Sequence, residues 1–221
     1  MDFSDIGVVV GLTAEARIAR RLFPLVAVGG GTAAGAEAAS RRLIGQGVRG
    51  LVSFGLAGGL DPLLRPGALV VPEAVVTQGR SLATDPGLNA RLGGASGHLL
   101  LGADGIAVTA AAKQHLFVVT GCGAIDLESG AVGRAAEARG LPLAVLRAIC
   151  DPAERDLPPA ALRALDGAGA IGLLRVIGSV VVRPGQLPEL LALGRDAAAA
   201  RRALVTRIGL LRGGGGRDRP A

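Results

Sequence analysis

The sequence predicts an α/β fold, a central mixed β-sheet flanked by helices, and three observations carry that expectation. Short runs rich in Val, Ile and Leu alternate with longer Ala- and Arg-rich stretches at helical spacing. Gly, Pro and Asp mark most of the joins between them. Half of the 221 residues are apolar, enough for one substantial core and too short a chain for two full enzyme domains. We therefore expect one domain over residues 1–212 and a disordered, Gly-rich tail over 213–221.

Taken in order, Ile6 to Leu12 is a β-branched strand ending at Thr13, and Ala14 to Leu22 carries helix formers. Leu25 to Val28 reads as a second strand, broken by Gly29-Gly30-Gly31-Thr32 before an Ala-rich helix from Ala33 to Gln46. Gly50 to Phe54 is a third strand, followed by an expected turn at Gly55 to Gly59. Ala68 to Val71 and Val75 to Thr77 are further strands separated by Pro72. Gly79 to Gly105 reads as loops with a short helix near Gly87 to Leu92. Ile106 to Thr109, Phe117 to Thr120 and Gly123 to Ile125 read as strands, the last leading into a helix at Ser129 to Arg139. Leu143 to Ile149 is the most apolar strand and stops at Cys150-Asp151-Pro152. Pro159 to Arg212 is mostly helical in pattern, with a break at Arg183-Pro184-Gly185.

Several function classes are disfavoured at once. No stretch approaches the roughly 20 uncharged apolar residues that span a bilayer, and Met1-Asp2-Phe3-Ser4-Asp5 is too acidic to open a signal peptide. A cytoplasmic location is the expectation. Cys122 and Cys150 lack metal-ligand companions, so neither a disulfide scaffold nor a metal site is expected. The net charge of +6 is scattered, and four Phe with no Tyr or Trp leave no stacking platform, which argues against nucleic acid. His98 and His115 have no sequence neighbour that would make a catalytic dyad.

In sheets of this kind ligands bind beyond the carboxyl ends of the strands, which directs attention to Gly29 to Thr32, Gly55 to Gly59, Asp126 to Ser129 and Cys150-Asp151. Asp126 and Glu128 stand where a helix starts, so each either caps that helix or accepts hydrogen bonds from two neighbouring sugar hydroxyls. Asp151 ends an apolar strand, where burial favours the protonated acid unless a cation compensates; as a turn residue before proline it needs no further role. Arg147 on the same strand reads as an ion-pair partner rather than a catalyst. Glu15 and Glu73 are either site carboxylates or solvated surface residues. The glycine turn before the second helix suits an anion, but matches no nucleotide fingerprint.

In their order these segments resemble the nucleoside phosphorylase superfamily, which includes the methylthioadenosine/adenosylhomocysteine nucleosidases. The pieces are Val8-Val9-Val10-Gly11-Leu12-Thr13-Ala14-Glu15, Val52-Ser53-Phe54-Gly55-Leu56-Ala57-Gly58-Gly59-Leu60, Arg65-Pro66-Gly67-Ala68-Leu69-Val70-Val71-Pro72, Gly123-Ala124-Ile125-Asp126-Leu127-Glu128-Ser129-Gly130-Ala131-Val132 and Leu146-Arg147-Ala148-Ile149-Cys150-Asp151. The resemblance implies a nucleoside phosphorylase-like fold whose sheet is partly barrel-like. Gly11-Leu12-Thr13-Ala14-Glu15-Ala16-Arg17, the run from Cys150 to Pro159 and Arg183-Pro184-Gly185-Gln186-Leu187-Pro188 are similar to the hopanoid-associated phosphorylases, thought to remove adenine from adenosylhopane.

By that resemblance the chain cleaves the N-glycosidic bond of a 5′-substituted adenosine. Glu128 would hold the ribose hydroxyls with Leu127 packed on the sugar, and Asp151 would be the catalytic acid at the base. Asp126, Ala57, Gly58 and Cys150 would complete the substrate site, and Gly11, Thr13, Arg17, Gly30, Gly31 and Thr32 would receive an anion. No cofactor is implied beyond inorganic phosphate as a co-substrate. The partners implied are a small nucleoside, lipid-linked in the narrower resemblance and then reached by transient membrane contact, and further copies of the chain in a dimer or larger homo-oligomer. Two departures bear on the acceptor. The nucleosidases' water-activating Glu matches Ala16, one residue from Glu15, and the bacterial phosphorylases' phosphate-holding Arg and Ser match Ser53 and Leu56. Phosphorolysis is slightly preferred. The alternatives are a methylthioadenosine/adenosylhomocysteine nucleosidase and a non-catalytic nucleoside-binding protein.

Overall fold

The structure, a computed structural model, describes residues 3–158 and 187–214. The first strand, β1 (Ile6–Val10), is buried at every position, as a β-branched run between two parallel neighbours should be. The neighbours are β2 (Leu25–Val28) and β3 (Gly50–Gly59), reached through helices α1 (Thr13–Ala19) and α2 (Ala33–Gly45). Thr32 caps α2 by accepting the Gly35 N–H at 3.1 Å. After β3 come β4 (Leu69–Val70), β5 (Ala74–Thr77), β6 (Arg80–Ala83), helix α3 (Pro86–Arg91), β7 (Leu99–Gly102), α4 (Ala110–Thr120), β8 (Cys122–Asp126), α5 (Ser129–Glu137) and β9 (Leu143–Asp151). Helix α6 (Leu187–Gly214) closes the described chain.

The strands form one mixed sheet in the order β2-β1-β3-β8-β7-β5-β6, with β9 laid against both β3 and β4. Over its first half β3 pairs with β1, over nearly its whole length with β9, and at Gly58 and Gly59 with β8. This exchange of neighbours along one long strand curls the sheet. One face buries Val9, Leu51, Val145 and Ile149 under α2 and α5. The other buries Val8, Phe54, Leu146 and Ala148 under α1 and α6, with Ala200, Leu204 and Ile208 of α6 at helical spacing on the contact face.

The expected turn at Gly55 to Gly59 is strand, because ladders to β9 and β8 hold a glycine-rich segment extended that local propensity would release. Two strands, β6 and β7, occupy the segment read as loops, where the expected short helix is α3. The strand expected at Ile106 to Thr109 is irregular, and Phe117 to Thr120 is the last turn of α4. Thr109 starts that helix by accepting the Ala112 N–H at 3.1 Å, and Gly121 ends it in the left-handed conformation at φ +67°. In the C-terminal third, 159–186 lie outside the described residues, the expected break at 183–185 among them. Of the expected tail, Gly213 and Gly214 instead finish α6, and 215–221 also lie outside.

Candidate active site

Arg147 organises the site. It sits on β9 opposite Gly55 of β3, is 1% exposed, and points to the face covered by α5. Its Nε lies 2.6 Å from Asp126 Oδ2, and its Nη2 donates to Ser53 Oγ at 2.7 Å and to Glu128 Oε2 at 3.2 Å. A buried guanidinium is tolerated because carboxylates surround it. Burial works against its charge, yet Asp126, Glu128 and Glu15 outweigh that and raise its pKa.

The two carboxylates of the Asp126-Leu127-Glu128 segment separate into different roles. Asp126 Oδ1 accepts the N–H groups of Glu128 (3.1 Å) and Ser129 (2.9 Å), while Oδ2 takes Arg147 and the Ser129 hydroxyl. Asp126 therefore serves the backbone N–H groups at the start of α5, and both its oxygens are engaged. Glu128 is equally buried, but its Oε1 has no hydrogen-bond partner in the protein. Burial pushes the Glu128 carboxyl up to about 7; Arg147 opposes the shift, and Asp126 and Glu15 add to it.

Glu15 stands in the same cluster. It is 3% exposed, accepts the Leu12 N–H at 2.8 Å and reaches across to accept the Leu56 N–H at 2.9 Å. Burial raises its pKa, and Arg147 followed by the backbone donors of Leu12, Leu56 and Gly11 works against the rise. Ala16, the position that matches the nucleosidases' water-activating Glu, is fully buried in the core beside α6. Two glycines admit this arrangement. A Cβ on Gly55 would stand 2.6 Å from Glu15 Oε1 and 2.7 Å from Arg147 Nη1, and one on Gly11 would stand 2.7 Å from Glu128 Oε1.

Asp151 lies on the other flank of β3. Gly58 faces Ile125 of β8 on one side and Asp151 of β9 on the other, so Asp151 and the segment leading to Glu128 border the same stretch of strand. The register slips there, with Ala57 opposite Ile149 and Gly58 opposite Asp151, which makes Cys150 the extra residue of a bulge that re-aims the acid. Asp151 Oδ2 accepts from Lys113 Nζ at 2.6 Å, and Oδ1 is buried without a partner. Burial raises the Asp151 pKa, against the hydrogen bond and charge of Lys113. The compensating cation is thus present, a residue that local reading passed over. Its signal was composition: Lys113 is the single lysine among 24 basic residues.

The remaining candidates are dispersed. Ala57 turns its methyl into the core, whereas Gly58 and Leu127 are half-buried. Cys150 is a free thiol pushed up to about 12 by burial, with Asp151 adding to the rise, and so stays neutral. Some groups around the expected anion cradle already have partners within the protein. Leu12 N–H is taken by Glu15 and Gly30 N–H by Gly11 O, while the Thr32 hydroxyl caps α2. Thr13 and Arg17 are exposed on α1, and Gly31 is half-buried. Glu73 is exposed. His98 Nε2 lies 4.0 Å from Asp61, an acidic neighbour that its local sequence does not show. Among the described residues no group of three His, Cys, Asp or Glu side chains is disposed to hold a metal ion, and no helix is long and apolar enough to cross a membrane.

Comparison with known proteins adds to this geometry. The family model of the Phosphorylase superfamily matches residues 13–95. No curated protein sequence matches the chain. Among solved structures, the chain is similar to the Helicobacter pylori 5′-methylthioadenosine/S-adenosyl homocysteine nucleosidase, with a TM-score of 0.66 at 16% identity, covering 95% of this chain and 99% of that one. It is similar to the futalosine hydrolase of the same organism, with a TM-score of 0.65 at 16% identity over 92% and 97% of the two chains. The S-adenosylhomocysteine nucleosidase of Streptococcus pyogenes gives 0.64 at 15% identity over 92% and 95%. The curled mixed sheet and its flanking helices therefore have the nucleoside phosphorylase and nucleosidase fold.

Proposed function

We propose that this protein hydrolyses the N-glycosidic bond of an adenine nucleoside. The observation that carries the reading is a pair of buried, unpartnered carboxyl oxygens, Glu128 Oε1 and Asp151 Oδ1, on the two flanks of one strand end. Buried polar atoms in native proteins nearly always have partners, so these two call for donors from a ligand. A ribose diol suits Glu128 and a purine suits Asp151. The three compared structures support this, being named for nucleosidases and a futalosine hydrolase.

In the proposed step the C1′–N9 bond breaks with its electron pair going to N9, and Asp151 passes a proton from Oδ1 to N7, so that neutral adenine leaves. Water adds to C1′ and gives its proton to Glu15. Glu128 holds the 2′ and 3′ hydroxyls as positive charge grows on the sugar, and Arg147 keeps Glu128 and Glu15 in place. Water is favoured over phosphate by charge. Glu15, Asp126 and Glu128 surround a single guanidinium, and a phosphate dianion entering beside them meets net negative charge.

The 5′ substituent is read from sequence likeness, which supports a 5′-substituted adenosine, adenosylhopane foremost and methylthioadenosine as its competitor. Incubation with a panel of 5′-substituted adenosines, with mass detection of adenine, tests the reading. Asp151→Asn should keep the fold and lose about 10²–10⁴-fold in kcat. Full activity in that variant, or tight adenosine binding without any base release by the native protein, would overturn the proposal.

A further inference from the structure

One buried charged group has no part in the step just described. Lys113 lies in the first turns of α4 and is fully buried. Its Nζ donates to Asp151 Oδ2 at 2.6 Å, to the Pro152 carbonyl at 2.9 Å and to the Arg155 carbonyl at 2.7 Å. Three N–H donors meet three acceptors, which describes an ammonium with no donor to spare. A planar guanidinium could not serve three such acceptors from one nitrogen, which accounts for a lysine in a chain whose other cationic side chains are all arginine.

We propose that Lys113 is the positioning residue of the acid, turning Asp151 Oδ1 toward the base and setting how readily Asp151 releases its proton; the inference rests on the nucleoside-cleaving reading above. With Oδ2 pinned to the ammonium, the proton of the neutral acid resides on Oδ1. When it passes to N7, the carboxylate left behind already faces a fixed cation. Without Lys113 that carboxylate would form in a dry site, and the acid would be too weak to give its proton up.

The charges facing Asp151 come from three elements. They are Lys113 of α4, Arg155 of the segment after β9 and Asp196 of α6, while its β3 neighbour Gly58 carries none. Arg155 and Asp196 are paired with each other and largely cancel. Lys113 is therefore the cation that counts. Burial raises the Asp151 pKa, and Lys113 is the main influence opposing it.

Being the single lysine, Lys113 can be followed in the native protein by Nζ-selective ¹⁵N labelling. The ammonium signal should shift along a pH titration and lose that inflection in Asp151→Asn; a signal blind to pH in the native protein would overturn the inference. In kinetics, the falling limb of kcat against pH reports the acid in the substrate complex. Lys113→Gln should move that limb up by about 1–3 pH units and lower kcat, while Lys113→Arg, which keeps the charge but cannot meet all three acceptors, should move the limb less than Lys113→Gln does. A folded Lys113→Gln with the native limb would also refute the proposal. Should Lys113→Gln not fold, the native titration decides. If the native protein releases no base from any nucleoside, the functional reading fails, and the titration still shows whether Lys113 governs Asp151.

Discussion

Glu128 shows how much one residue's environment can alter its chemistry. Its carboxyl titrates near 7 instead of 4.5, chiefly because burial strips its water. Between those values the folded chain binds a proton that the unfolded chain has lost, so this residue lowers stability as pH rises, with the full penalty above about pH 7. Glu128→Gln should therefore raise the Tm at pH 8 and flatten the dependence of Tm on pH between 5 and 8, in calorimetry beside the native protein. Parallel curves for the two proteins would show that Glu128 ionises normally. Asp126, two residues away, presents similar burial with both oxygens engaged, and nothing in the local sequence distinguishes the two. Arg147 reaches both; what distinguishes them is that Asp126 also takes the N–H groups of Glu128 and Ser129 and the Ser129 hydroxyl, whereas Glu128 Oε1 takes nothing from the protein.

Among the elements, α4 is the informative one. Val118, Val119 and Thr120 are β-branched and read locally as strand, but Val118 and Val119 are 76% and 66% exposed, so no sheet face holds them. The helix is set by its ends, Thr109 and Gly121, and by Lys113 buried against the segment after β9. Thr109→Ala should cost about 1 kcal/mol in urea unfolding, and because α4 carries Lys113 it should weaken the Asp151 ion pair as well. An unchanged midpoint would mean that the cap contributes nothing. Strand β3 teaches the complementary lesson. Its glycines signal a turn to any local rule, and only the ladders on both sides keep it straight through Gly59.

Over the whole molecule, charge is distributed unevenly. The chain carries a net +6, yet the interior of the site gathers Glu15, Asp126 and Glu128 around one Arg147. Phosphate drawn to the basic surface should therefore not enter the reaction. Adding it should leave the rate of adenine release unchanged and the sugar product free of phosphate, as mass spectrometry of the products would show; a sugar 1-phosphate would establish phosphorolysis. The fold class, seven of the nine strands among the described residues and the place of Glu128 and Asp151 at strand ends were legible in one dimension, because apolar runs and breaker residues act on their immediate neighbours. The state of each acid was not. Whether a buried carboxyl is capped, paired or left with a free oxygen depends on which distant charge folding brings beside it. Arg147 and Lys113 reach their carboxylates from separate elements, and in a medium of low dielectric that proximity decides the chemistry.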